Sequence, residues 1–126
     1  MKLEVGMYVR TNLGIAKITE YKENKNFDNE FLLDKEIIDT HEDYYSRCLY
    51  DYEFYLDQVI KASHNIIDLI EVGDYVNGGQ VREKTNDYIR ISGGEFMWQY
   101  LKREEDIKSI VTKEIFSNVE YRVETN

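Results

Sequence analysis

The stretch "EVGMYV" at Glu4–Val9 returns as "EVGDYV" at Glu71–Val76, five of six positions agreeing at an offset of 67 in a chain of 126 residues. In each copy the apolar residues alternate with others, as on a half-buried strand. The shared glycine ahead of the Tyr-Val pair permits a bend or a close backbone approach. Copy one passes through Asn12 and Gly14 into the run Ile15–Tyr21, and copy two passes through Asn77-Gly78-Gly79. Asn-Gly between two strand-like runs is a strong short-range hairpin signal.

A second echo closes each unit. "LDQVIKASHNIID" (Leu56–Asp68) parallels "EEDIKSIVTKEIF" (Glu104–Phe116), with Val59 and Ile107 in matching places. Between these landmarks the second unit offers "NDYIRIS" (Asn86–Ser92) and, after Gly93-Gly94, "EFMWQYLK" (Glu95–Lys102). Five short strands separated by glycine turns predict a small β-barrel. A last strand is expected in "SNVEYRV" (Ser117–Val123), after one helical turn. The apolar linker "NIIDL" (Asn65–Leu69) has no Gly or Ser and should pack rather than swing. Gly6 to Val59 spans 53 positions and Gly73 to Ile107 spans 34. The 19-residue excess is assigned to Phe27–Tyr55.

The composition is that of a chain able to bury a core, 42% hydrophobic and 33% charged. Eleven of its seventeen aromatics are tyrosine, which covers apolar surface while keeping a polar end. Proline is absent, so turns fall to Gly, Asn and Asp. A formal charge of −9 argues against direct nucleic-acid binding and against an anionic membrane. The single cysteine, Cys48, excludes an internal disulfide and a cysteine-cluster zinc site, and points to a reduced, cytoplasmic setting. Neither an apolar leader nor a run approaching roughly 20 apolar residues is present, so no export and no membrane anchor are expected.

The phrases "MKLEVGMYVRTNLGIAKI", "IKASHNIIDLIEVGDYVNG" and "IKSIVTKEIFSNVEYRV" resemble a recurrent set of small, mostly uncharacterised proteins of clostridial phages and prophages. The tandem "GxYV" units also look like SH3-like small barrels. The resemblance implies a mostly β chain of two tandem SH3-like modules with short helical turns, divided at 1–65 and 66–126. The first carries an acidic, tyrosine-rich insert at about 27–57. It also implies a phage or prophage gene acting inside a Gram-positive bacterial cell. Short accessory proteins of that origin often counter host defences, anti-CRISPR proteins among them.

The insert is the most distinctive region. Asp28–Asp57 holds ten acids against Lys35 and Arg47, a net −8 of the total −9. Within it "YDYEFYLD" alternates, which predicts a strand with Tyr50, Tyr52, Phe54 and Leu56 on one face. Asp51, Glu53, Tyr55 and Asp57 would lie on the other. The plainer reading is a solvated acidic face. The functional reading is a docking surface for a basic host protein, built from Glu42, Asp43, Tyr44, Asp51, Glu53, Tyr55 and Asp57.

A second candidate patch is Arg82, Arg90, Trp98, Lys102 and Arg103. Core packing is the plainer fate of Phe96, Trp98 and Tyr100, although one of them facing a groove would suit an extended peptide. No catalytic residue, metal site or cofactor is assigned: His41 and His64 lack partners at ligand spacing, and Cys48 has no neighbouring His. The expected function is therefore non-catalytic, binding of a host protein with a basic surface, such as a defence nuclease. The rivals are sequestration of a small nucleotide signal, a peptide-binding adaptor role and an undescribed enzyme. An edge strand beside the insert would also suit a homodimer.

Overall fold

The computed structural model describes residues 2–42, 44–93 and 98–115. Asp43, Phe96 and the alternating run 117–123 lie outside the described residues. The chain is mostly β. Strands β1 (Tyr8–Thr11), β2 (Gly14–Lys22), β3 (Glu30–Leu33), β6 (Cys48–Tyr50) and β7 (Lys61–Ser63) form one sheet in the order β6-β3-β2-β1-β7. Strands β8 (Tyr75–Val76), β9 (Gly79–Lys84), β10 (Ile89–Ser92), β11 (Trp98–Leu101) and β12 (Ile110–Val111) form a second in the order β11-β10-β9-β8-β12. Strands β4 (Ile38–Asp39) and β5 (Tyr45–Ser46) pair separately as a small hairpin. Position for position, the two large sheets have the same topology, each with a helical turn before its last strand. That turn is α1 (Glu53–Leu56) in the first and a 3₁₀ turn at Glu104–Asp106 in the second.

The repeat is exact at the backbone. Gly6 N–H donates to Ile18 O and Gly73 N–H to Val81 O, both at 2.9 Å. Ile18 N–H donates to Met7 O at 2.8 Å, and Val81 N–H to Asp74 O at 2.7 Å. Gly6 and Gly73 sit at φ +94° and +101°, a region that side chains with a Cβ avoid. The shared glycine is thus required by the bend entering each first strand. Both sheets also carry a bulge at the matching place, Thr19 on β2 and Arg82 on β9. The buried pairs coincide as well: Val9 with Val76, Ile18 with Val81, Phe31 and Leu33 with Ile89 and Ile91, and Leu49 with Leu101.

Among the described residues neither sheet closes into a barrel: the first and last strands of each row are not paired with one another. Closure needs strands long enough to be shared across the seam at a consistent stagger. Here the closing strands β7 and β12 have three and two residues.

The register also redistributes the 19-residue excess. The offset between matching positions is 67 at Val9 and Val76, then 63 at Ile18 and Val81, and 58 at Leu33 and Ile91. It falls to 52 at Leu49 and Leu101 and to 48 at Ala62 and Ile110. Every connection of the first unit is longer, by four to six residues, rather than one insert holding all of it. The third connection uses its extra length to build the β4–β5 hairpin. Ile37 and Ile38 anchor that hairpin in the first core, and Gln58 fastens it through two 2.8 Å hydrogen bonds with the Asp39 backbone.

Candidate functional site

The run "YDYEFYLD" does not continue as a strand. After β6 the chain must leave one edge of the sheet and reach the opposite edge, where β7 pairs with β1. It does so through α1, closed by Leu56 N–H to Tyr52 O and Asp57 N–H to Glu53 O. The turn replaces the expected alternation with helical spacing, so Glu53 and Asp57 stack one turn apart. Tyr55 and Leu56 pack against the first core. Asp51 lines a cleft of about 500 Å³ with Tyr21, Phe31 and Leu56.

Around α1 the aromatic rings form a continuous chain. Phe54 lies 4.9 Å from Tyr55, and Tyr55 lies 5.2 Å from Tyr50 and 5.0 Å from Tyr52, all three edge-on. The hairpin joins this chain through His41, whose ring is 4.6 Å from Phe54. His41 holds a left-handed φ of 62°, and its amide donates to Asp39 Oδ1 at 3.0 Å. Thr40 Oγ1 donates to Tyr44 O at 2.7 Å, closing the hairpin tip.

Glu42 and Tyr44 are thereby brought beside α1. Burial first, then a hydrogen bond with Tyr52 and the charge of Glu42, push the Tyr55 hydroxyl up to about 12. Tyr50 is raised mainly by its neighbour Cys48. Both hydroxyls are therefore neutral donors at physiological pH. Six of the seven residues expected at a docking surface are described. Glu42, Tyr44, Glu53 and Asp57 are exposed around the aromatic chain, Tyr55 is half-buried within it, and exposed Asp51 stands on the flank. Sequence reasoning missed His41, Tyr50, Tyr52 and Phe54 as members of the same surface, because a strand would have turned the last three inward.

Cys48 donates its S–H to Glu30, and burial together with that carboxylate pushes the thiol up to about 12. A thiol held in that form is a poor nucleophile. His64 pairs with Glu4 at 2.6 Å, fastening the first repeat to the end of β7.

The second patch does not assemble as one site. Arg90 stacks over the Trp98 ring at 4.1 Å, and its cross-strand neighbours are Glu83 and Tyr100. Arg82 is the bulge residue of β9. Lys102 and Arg103 follow the far end of β11, about 13 Å along the strand from Trp98. Trp98 and Tyr100 are exposed on β11, so core packing does not describe them. The edge strand presents them because Leu101 alone of β11 reaches the core.

The most connected polar residue among those described was not foreseen. Arg10, directly after the first repeat, is completely buried. Its guanidinium binds Asp74 in bidentate fashion at 2.5 and 2.8 Å, Glu114 at 2.7 Å, Glu71 at 3.1 Å and the Leu69 carbonyl at 2.8 Å. Asp74 also accepts the Glu71 and Lys113 amides at 2.8 and 2.9 Å. Burial alone would raise its carboxyl, but Arg10 and the two amides outweigh burial and hold it below the usual carboxylate range. Asp74 is the one letter by which the second repeat differs from the first. The signal was present in that mismatch.

No family model, curated protein or solved structure matches this chain.

Proposed function

We propose that this chain is a non-catalytic binding protein that docks a basic partner through the surface formed by α1, β6 and the β4–β5 hairpin. One observation carries the reading: the segment holding eight of nine net negative charges folds so that exposed Glu42, Glu53 and Asp57 surround a continuous chain of aromatic rings, of which Tyr52 and Phe54 are exposed and Tyr50 and Tyr55 half-buried. Aromatic rings with polar ends supply contact area at low entropic cost, and surrounding carboxylates supply orientation and rate. The β6 edge of the first sheet adjoins this surface and suits a homodimer or an added strand. The resemblance to phage and prophage proteins suggests a host protein as partner. A defence nuclease, with its basic nucleic-acid channel, is the class the surface suits best. We read the two sheets as open SH3-like modules, supported by their shared strand order and by the helical turn before each last strand.

The test is binding to basic proteins of the host at two ionic strengths, with the parent chain and with the triple variant D51N/E53Q/D57N. The reading expects salt-sensitive binding that the triple variant weakens by about tenfold or more. Binding that ignores both salt and the three substitutions would overturn it. Nucleotide sequestration has weaker support, since Lys102 and Arg103 stand apart from the Arg90–Trp98 stack.

A further inference from the structure

Beside the acidic surface, between the β2–β3 connection and the start of α1, lies an open cleft of about 740 Å³. Its walls include Phe27, Asp28, Glu30, Tyr50, Tyr52 and Asn24, and Lys25 is the single cation among the described lining residues. Phe27 is 80% exposed, the most exposed large apolar side chain described. Across from it Tyr50 and Tyr52 lie with ring planes 26° apart and centroids 6.2 Å apart, both braced edge-on by Tyr55. The loop carrying Phe27 is held in place: Asn24 N–H donates to Asn29 Oδ1 at 3.0 Å, and Asn24 Nδ2 donates to Asp28 O at 2.9 Å. Asp51 N–H donates to Asn29 O at 2.8 Å, tying this loop to the segment after β6.

Phe27, Tyr50 and Tyr52 line the cleft together with the carboxylates of exposed Asp28 and of Glu30, which also accepts the Cys48 S–H, a combination suited to a flat cation on an apolar stem. We infer that this cleft takes an arginine side chain of the docked partner, its guanidinium stacking on a tyrosine face and pairing with Asp28 or Glu30. Arginine fits better than lysine because a planar, weakly hydrated guanidinium both stacks on rings and forms paired hydrogen bonds with a carboxylate. A ligand bearing phosphate or carboxylate is repelled by the same acids. The inference rests on the docking reading for the class of partner and specifies where that partner is gripped. Phe27 and Asp28 lie outside the residues that test the docking surface, so the two are separable.

The experiment titrates the full chain with N-acetyl-arginine amide and follows the ring protons by NMR. Saturable shifts are expected at Phe27, Tyr50 and Tyr52. N-acetyl-lysine amide should bind about two- to fivefold more weakly, the equivalent of one exposed cation–π contact. Phe27→Ala and Asp28→Asn should each weaken the arginine probe by a similar factor, and both side chains are exposed enough to leave the fold intact. Equal affinity for the two probes, or shifts spread evenly over all acidic segments, would overturn the assignment.

A hexa-arginine peptide then separates the two claims. If Phe27→Ala weakens its binding and D51N/E53Q/D57N does not, the cleft stands and the broader docking surface is lost. If the triple variant weakens binding and Phe27→Ala does not, the docking surface stands and the cleft is lost.

Discussion

Arg10 shows how much one side chain decides. It reaches from the first strand of the first unit into the second and satisfies groups from Leu69, Glu71, Asp74 and Glu114. Removing one partner of a buried ion pair leaves the other charged and dry, which costs about 3–5 kcal/mol. Arg10→Met is therefore expected to lower stability by about that much in urea denaturation. Adding Asp74→Leu should restore only part, because the Glu71 and Lys113 amides would lose their acceptor.

The same pair sets a pH response. The folded Asp74 carboxyl titrates below its unfolded value of about 3.9, so its stabilisation is fully present above that pH. It is lost as pH falls through the folded value. Denaturation midpoints measured between pH 6 and pH 2.5 should fall more steeply for the parent than for Asp74→Asn. Equal slopes would assign the acid response to other carboxylates. Nothing in the local sequence marks Arg10 as buried: it follows a strand signal, where an arginine ordinarily reaches solvent.

Among the elements, the β1–β2 and β8–β9 hairpins were the most legible, because their signals are local. Asn77 and Gly78 take φ 52° and 83°, the pair of left-handed residues that a two-residue turn with matching strand twist requires. Gly79 answers to a different demand. A Cβ there would stand 1.9 Å from the Ser92 carbonyl oxygen, whereas at Gly78 it would meet nothing within 4 Å. Gly78→Ala should therefore cost only the conformational penalty, about 1–2 kcal/mol. Gly79→Ala must push β9 from β10 and should unfold the second sheet, read as loss of its amide-exchange protection.

The β4–β5 hairpin and α1 were not legible, although their residues were singled out. Alternation over eight residues read as a strand, yet the need to cross from one sheet edge to the other converted Glu53–Leu56 into a helical turn. The hairpin then rests on Gln58. Gln58→Ala removes both bonds to the Asp39 backbone and should cost about 1–2 kcal/mol. Faster hydrogen exchange at Asp39 than in the strands of the first sheet is the expected signature.

At the scale of the whole molecule, two sheets with separate apolar clusters are joined by a buried polar network. Besides Arg10, Lys84 Nζ donates to the Asp68 and Ile70 carbonyls at 3.2 and 2.8 Å, holding the linker to the second sheet. Leu69, at the end of that linker, and Ile70 directly after it are fully buried. Burial, and next the nearby Glu104 of the second unit, raise the Tyr8 hydroxyl of the first. Unfolding of the parent should accordingly be a single transition, with calorimetric and van't Hoff enthalpies equal. In Arg10→Met the first and second units should melt separately, the ratio of the two enthalpies rising above one. A single transition in the variant would show that apolar contact alone couples the units.

The sequence by itself determined the repeat, the β character, the two glycine bends, the tight hairpins and the placement of the negative charge. Each rests on a local rule: the period of the side chains, the φ a turn demands, or a count of charges. Tertiary structure alone decided that the sheets stay open, that the 19 extra residues spread over four connections, and that the acidic run turns as a helix. It alone also turned the mismatch between "EVGMYV" and "EVGDYV" into a buried bond between the two units. Those outcomes depend on which edges must be joined and which charges end up facing one another, and neither is encoded within any one short stretch.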